Sequence, residues 1–386
     1  MADKIEYRFV SADDHIDLRW LPKDLWSERL PVKLRERGPR VVQTDKGACW
    51  TWEGQTFSPH GYYTAAQGSG AMWAIERGGV MREGELRPTT ADLRLSDMDR
   101  DGADASIMYG PTDPMPIADP ELRRCCYEAY NDWLLEFCAY KPERLIGVAQ
   151  LSMEDPGLAR DELERLAKGG GVRHVNILAS RANPPVYDQT WESFWALAED
   201  VGIPIGFHLA VLVKKTRLDA EDRDAADPVI TAASRFAKEP PGIQLLEPIT
   251  GLIFAGVFDR HPRLKVVMAE AGLAWVPSMV QGFDIWYQRT RDGRRLTGDS
   301  PIALPKMLPS EYFRRQIWIS FVDDPLGLKM IGTVLDVDKV MFGSDYPHPA
   351  STWPYSQQVI REQMQDLSPE VLRKIVRDNA RALFQL

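Results

Sequence analysis

The chain has 386 residues, 44% hydrophobic and 27% charged, with a formal charge of −9. That balance fits a soluble globular protein, and the negative charge argues against nucleic acid or an anionic membrane as the main partner. No apolar run approaches the ~18 residues that a bilayer span needs, so no membrane partner is expected.

The start of the chain, Met1 to Arg8, has mixed charge and no leader-like apolar segment. Phe9-Val10-Ser11-Ala12-Asp13-Asp14-His15 reads as a short strand that surfaces in acids and an imidazole. A Gly-, Trp-, Tyr- and Met-rich segment follows at 39–87. Within it Arg40–Thr44, Ala48–Trp52 and Gln55–Phe57 predict short strands joined by Asp45-Lys46-Gly47 and Glu53-Gly54, which is hairpin-turn chemistry. A loop of this length suggests a lid over a site, with His60 facing substrate. Four cysteines (Cys49, Cys125, Cys126 and Cys138) lack metal-knuckle spacing and read as reduced thiols of a cytoplasmic protein.

From Arg94 the texture changes. A helix ends at Gly102, a residue suited to a left-handed helix end, and Ala105–Gly110 is a buried strand. Pro120–Tyr140 has helical apolar spacing, and Leu145–Leu151 is a strand. A helix over Asp155–Lys168, a strand from His174 to Leu178, and a helix over Thr190–Val201 come next, then the strand Pro204–His208. The charged stretch 212–242 interrupts the alternation. Ile243–Phe258 predicts a helix, Lys265–Glu270 a strand, and Trp275–Trp286 a helix whose Trp and Met residues read as core. Ile317–Val322 is a strand, Gly327–Leu335 a helix, Val340–Ser344 the last strand, and Ser368-Pro369 opens the final helix.

Eight short apolar strands alternating with helices point to a parallel sheet covered on both faces. They predict a (β/α)8 TIM barrel with a hairpin-containing insertion after its first strand, all in one domain over 1–386. The doubly wound open sheet is the fold alternative, though no strand is followed by Gly-x-Gly-x-x-Gly.

Catalytic groups of such a barrel sit at the carboxyl ends of its strands. There the sequence places Asp13 and His15 (first strand), His208 (fifth), Glu270 (sixth) and Asp345 (eighth). Asp13 and His15 are two apart, so both side chains leave the strand on one side. A one-residue slip would put Asp14 or Asp17 there instead. Mixed imidazole and carboxylate donors suit a divalent metal such as Zn²⁺, Mn²⁺ or Fe²⁺, with Zn²⁺ or Mn²⁺ favoured by the oxygen-rich set. His348 is a pocket candidate, His174 a structural residue at the amino end of its strand, and His261 a helix cap.

The motifs Ser11-Ala12-Asp13-Asp14-His15, Pro204–Leu209, Phe258–Trp275 and Phe342-Gly343-Ser344-Asp345-Tyr346-Pro347-His348 resemble the amidohydrolase superfamily. The branch is the one similar to aminocarboxymuconate-semialdehyde decarboxylase and aromatic-acid decarboxylases. The resemblance implies one metal held by a pair on the first strand, His208 and Asp345. Asp13 stands where the pair's first His would be, and Glu270 where the branch's decarboxylases place a His. It also implies a homodimer or higher homo-oligomer acting on a small molecule.

The expected reaction is metal-dependent, non-oxidative decarboxylation of a small aromatic or unsaturated carboxylic acid, with Asp345 or Glu270 as the proton donor. The alternative is metal-dependent hydrolysis of an amide, ester, lactone or carbon–carbon bond, with Asp345 as base. A third reading is a metal-free binding protein on the same barrel.

Overall fold

Strand β1 (Phe9–His15) is buried along its whole length and pairs in parallel with β5 (Ala103–Tyr109), which pairs in parallel with β6 (Leu145–Gly147). The computed structural model describes residues 6–45, 47–61, 86–111, 117–209, 242–293, 304–348 and 350–386. A second parallel sheet has six strands in the order β12-β11-β10-β9-β8-β7. These are Val340–Phe342, Ile317–Phe321, Val266–Ala269, Ile205–His208, Val175–Asn176 and Ala149–Gln150. The fold is therefore α/β with parallel sheets. The two sheets meet at both edges. Only Val148 separates β6 from β7. At the other edge the chain after β12 bonds to β1, Asp345 N to Asp13 O at 2.8 Å and His15 N to Tyr346 O at 2.7 Å.

A third, antiparallel sheet follows β1 in the chain. It joins β2 (Arg40–Thr44), β3 (Gly47–Trp52) and β4 (Gln55–Pro59). Glu53 and Gly54 adopt φ of +48° and +77°, which the two-residue turn requires. The sheet is anchored by tryptophans. Trp50 is fully buried, meets Trp26 edge to face and donates its indole N–H to Leu18 O at 2.6 Å. The turn docks through Glu53 Oε2, which accepts from Ala118 N at 2.9 Å. Residues 62–85 of the expected lid, most of the 212–242 interruption and residues 294–303 lie outside the described residues.

Helices begin where a carboxylate can accept the free N–H groups of a first turn. Asp119 does so for Pro120–Cys138, and Asp155 for Pro156–Gly169. Gly102 ends Ala91–Asp101 with φ +88°. Three expectations need correction. The Ile243–Phe258 helix breaks into Ile243–Phe254 and Val257–Arg260, because Gly256 takes φ +72° between them. Gly327–Leu335 is not a helix: Asp324 caps only the single turn Pro325–Leu328. The strand expected over His174–Leu178 shortens to Val175–Asn176, and the chain soon after it turns into the short 3-10 helix Ala179–Arg181.

Apolar side chains form an outer layer between helices and sheets and a separate inner cluster. Val10, Ala12, Ala105, Ile107, Val148, Val267, Ala269 and Met341 supply the inner cluster from strands of both sheets and the chain between them. Leu383 and Phe384 of the C-terminal helix Asn379–Phe384 close it from the amino ends of the strands. Tyr109 stands above that plug. Its O–H donates to His174 Nε2 at 2.8 Å, His174 Nδ1 lies 2.8 Å from Pro204 O, and the His174 ring rests 5.0 Å from Phe384. Gly206 makes room for the pair: a Cβ there would sit 2.9 Å from His174 Nε2.

Candidate metal centre

The carboxyl ends of β1, β9, β10 and β12 bring Asp13, His15, His208, Glu270 and Asp345 together. His208 Nε2 lies 3.3 Å from Asp13 Oδ1 and 3.7 Å from Glu270 Oε2. His15 Nε2 lies 3.6 Å from Asp13 Oδ1 and 3.1 Å from Asp345 Oδ1. Asp13 and His15 share a face, as their spacing predicts, and the slipped alternatives do not take their place. Asp14 turns away into a hydroxyl cluster, and Asp17 pairs with His348.

Close approach of β1 to the exit of β12 depends on Gly343, where a Cβ would fall 2.5 Å from the Asp13 Cβ. Beyond it Asp345 adopts φ +58°, and Glu270, after β10, adopts φ +53°. Left-handed backbone at a non-glycine residue costs of order 1–3 kcal/mol and survives only where its surroundings fix it. Here it aims two carboxylates at one point. Ser320 supports both strand ends, accepting from Glu270 N at 2.9 Å and donating to Asp13 Oδ2 at 3.1 Å.

The electrostatics divide the carboxyl groups. Burial pushes Glu270 up to about 8, with the Asp345 charge adding to it, so its proton is held near neutrality. Burial would raise Asp345 too, but the His348 and His15 imidazoles hold it well below the usual carboxylate range. Burial alone would neutralise His208; the Asp13 carboxylate outweighs it and lifts the imidazole to about 9. Burial, with the neighbouring His348 charge, lowers His15. His348 bridges two acids, Nδ1 at 2.9 Å from Asp345 Oδ1 and Nε2 at 2.9 Å from Asp17 Oδ2, and stacks on the His15 ring at 3.7 Å.

These donors fit a divalent cation. Asp13, His15 and His208 each offer a ligand atom with all three atoms within 4.8 Å of one another, and so do His15, Glu270 and Asp345. Among the described residues His15 Nδ1 and Asp345 Oδ2 are buried without a hydrogen bond, a cost that a bound ion can remove. His208 Nδ1 faces Leu209 O at 2.7 Å, which orients its Nε2 toward the cluster. His15, Asp17 and His348 make a third such triad.

His60 is not brought into this group. Its contacts are Leu21 O at 2.9 Å from Nε2 and the edge of Trp50, which hold the turn after β4. His261 lies against Glu192 and Glu199, away from the cluster. The sequence reading missed Asp17 as the partner of His348, Ser320 as the support of Asp13, and Tyr109, whose ring lies 4.9 Å from that of His208. For Tyr109 a signal existed: it ends a strand, as the other site residues do.

Among characterised relatives, a gamma-resorcylate decarboxylase from Rhizobium sp. is 26% identical over 318 residues, spanning 76% of this chain and 87% of that protein. An amidohydrolase from Mycobacterium avium subsp. paratuberculosis superposes over 99% of both chains with a TM-score of 0.72 at 23% identity. A dihydroxybenzoic acid decarboxylase from Polaromonas sp., solved with manganese and the inhibitor 2-nitroresorcinol, covers 81% of this chain and 92% of its own, with a TM-score of 0.59 at 20% identity. The amidohydrolase family model (Amidohydro_2) matches residues 59–386, leaving the strand-one motif outside its span. The chain belongs to the amidohydrolase family.

Proposed function

We propose that this protein is a metal-dependent, non-oxidative decarboxylase of a small aromatic or unsaturated carboxylic acid. The observation that carries the reading is two donor triads that share His15, Asp13–His15–His208 and His15–Glu270–Asp345, with the Glu270 carboxyl raised by burial. The names of the relatives, decarboxylases of dihydroxybenzoates, support it.

A divalent ion such as Zn²⁺ or Mn²⁺ would supply positive charge to orient the substrate carboxylate and stabilise the charge that develops. Asp13, His15, His208 and Asp345 would hold it. Glu270 delivers the proton from its carboxyl to the carbon that bears the leaving group. The electrons of the broken carbon–carbon bond stay on that carbon, and carbon dioxide departs. A carboxyl with its pKa raised by burial can hold such a proton at neutral pH. Asp17 and His348 keep Asp345 ionised, and Tyr109 forms the floor.

Carbon dioxide release from a panel of hydroxybenzoates and unsaturated acids, with metal-loaded protein, tests the proposal. Silence across the panel from protein carrying one equivalent of metal counts against it. One observation favours a second reading, hydrolysis of an amide, ester, lactone or carbon–carbon bond: Asp345 is held as an anion and is suited to act as a base. Product labelled from ¹⁸O-water distinguishes it. The metal-free binding reading predicts under about a tenth of an equivalent of metal in protein purified without chelator.

We further infer that the nine parallel strands, with β6 and β7 counted as one barrel strand broken at Val148, close into a (β/α)8 barrel, supported by the bonds between β1 and the β12 exit. Burial of Trp50 and Trp52 in the common core supports reading 39–87 as an insertion within one domain. Four unpaired, buried cysteines suit the cytoplasm, and no helix among the described residues is long and apolar enough to cross a membrane. A homo-oligomer follows from the resemblance alone, and light scattering checks it.

A further inference from the structure

Asp14 lies between two of the proposed ligands and faces the other way. It is 2% exposed, and its two oxygens are crowded with donors. Oδ1 accepts from Ser11 Oγ at 2.7 Å, Ser344 Oγ at 2.6 Å and Tyr346 N at 3.1 Å. Oδ2 accepts from Ser106 Oγ and faces the Arg94 guanidinium at 3.6 Å. Arg94 is itself fully buried. Its NH1 donates to His15 O at 3.0 Å and Pro88 O at 3.2 Å, and its NH2 to Ser106 Oγ at 3.0 Å. The guanidinium also lies 5.1 Å from the Tyr346 ring centroid.

Two features separate this arrangement from ordinary packing. Ser344 and Tyr346 are the residues on either side of Asp345, so one carboxylate grips both flanks of the residue whose backbone is strained. Arg94 grips the carbonyl of His15 itself. A buried ion pair adds little net stability compared with apolar residues of similar size. What it does supply is fixed geometry, because each bond has a defined length and direction.

We propose that Asp14, held by Arg94, is a positioning residue. Its carboxylate ties the backbone around Asp13 and His15 to the backbone around Asp345 and so sets the spacing of three ligands contributed by two distant strands. The inference rests on the metal-centre reading above.

The test measures Mn²⁺ affinity, by the electron paramagnetic resonance signal of free Mn²⁺, on folded monodisperse protein, together with Tm. Asp14→Asn keeps an acceptor toward Ser344 and Tyr346 but loses the charge opposite Arg94. Asp14→Ala removes the grip. Residues that orient metal ligands typically cost about 10–100-fold in affinity when replaced. Asp14→Asn is expected near the lower figure and Asp14→Ala near the upper, with Ser344→Ala weaker than wild type by a few-fold. Asn379→Ala serves as the stability control. Asn379 bonds Val337 O and Val340 O at the opposite end of β12, so its loss lowers Tm and leaves the Mn²⁺ Kd at the wild-type value.

Wild-type Kd in both Asp14 variants overturns the proposal, as does an Asn379→Ala loss of affinity matching Asp14→Asn at equal Tm. Should Asp14→Ala not fold, Asp14→Asn and Ser344→Ala decide. Wild-type protein that takes up less than about a tenth of an equivalent sinks the metal-centre reading and this inference with it. Stoichiometric wild-type binding with unaffected variants sinks this inference alone.

Discussion

Replacing Glu270 by Gln tests the proton donor most directly. The carboxyl sits at about 8, raised from 4.5 by burial and by Asp345. Its surroundings therefore enlarge the population of the acid form near neutrality above that of an unshifted carboxyl. Gln keeps the shape but has no proton to give. General acid catalysis contributes about 10²–10⁴-fold, and kcat should fall by that factor while KM changes little. The wild-type kcat profile should decline on its alkaline side as Glu270 loses its proton. That limb lies at or below pH 8, since a neighbouring cation favours the ionised form. The assay is carbon dioxide release by stopped flow from pH 5.5 to 9.5, with metal content checked in each variant. A Glu270→Gln enzyme within tenfold of wild type, or one that retains the alkaline limb, would refute the assignment.

Three further outcomes are expected. His208→Ala should lower metal occupancy to under about a tenth of an equivalent by elemental analysis after desalting, with Tm of the metal-free form within a few degrees of wild type. Gly343→Ala should weaken Mn²⁺ binding at least tenfold, because the new Cβ falls 2.5 Å from the Asp13 Cβ and must part β1 from the β12 exit; isothermal titration reads it. Asp101 supplies a pH prediction away from the site. Burial raises it from 3.8 to about 7, against the bonds from Ser356. Between those values the folded chain holds a proton that the unfolded chain has lost, so this group's contribution favours folding at low pH and weakens as pH rises to 7. Asp101→Asn should flatten that part of the urea-unfolding profile, whose slope is at most about 1.4 kcal/mol per pH unit for one group; an unchanged slope contradicts it.

Much of the site was legible because strand ends are legible. Each of β1, β9, β10 and β12 is an apolar run that stops at a titratable residue, and only the carboxyl end of a parallel strand gives such a residue somewhere to go. The two-residue spacing of Asp13 and His15 gave their common face despite a register irregularity between Ser11 and Asp14. The partners of these residues were not legible, since periodicity carries no information on which side chains meet across the fold. Asp17 with His348, Ser320 with Asp13, and Arg94 with His15 are separated by 331, 307 and 79 positions. His60 misled for a related reason. Glycine and aromatic content marks a segment as unusual, but not which of its rings turn inward to support a turn.

The plug formed by Tyr109, His174 and Phe384 has a kinetic meaning. Among the described residues these rings, set edge to face and tilted, fill the amino end of the strands together with the C-terminal helix. Under the proposed decarboxylation, that filling would leave carbon dioxide and the second product to depart from the carboxyl end, where the substrate arrives. In the carboxylating direction dissolved carbon dioxide would have to enter ahead of, or alongside, the aromatic partner.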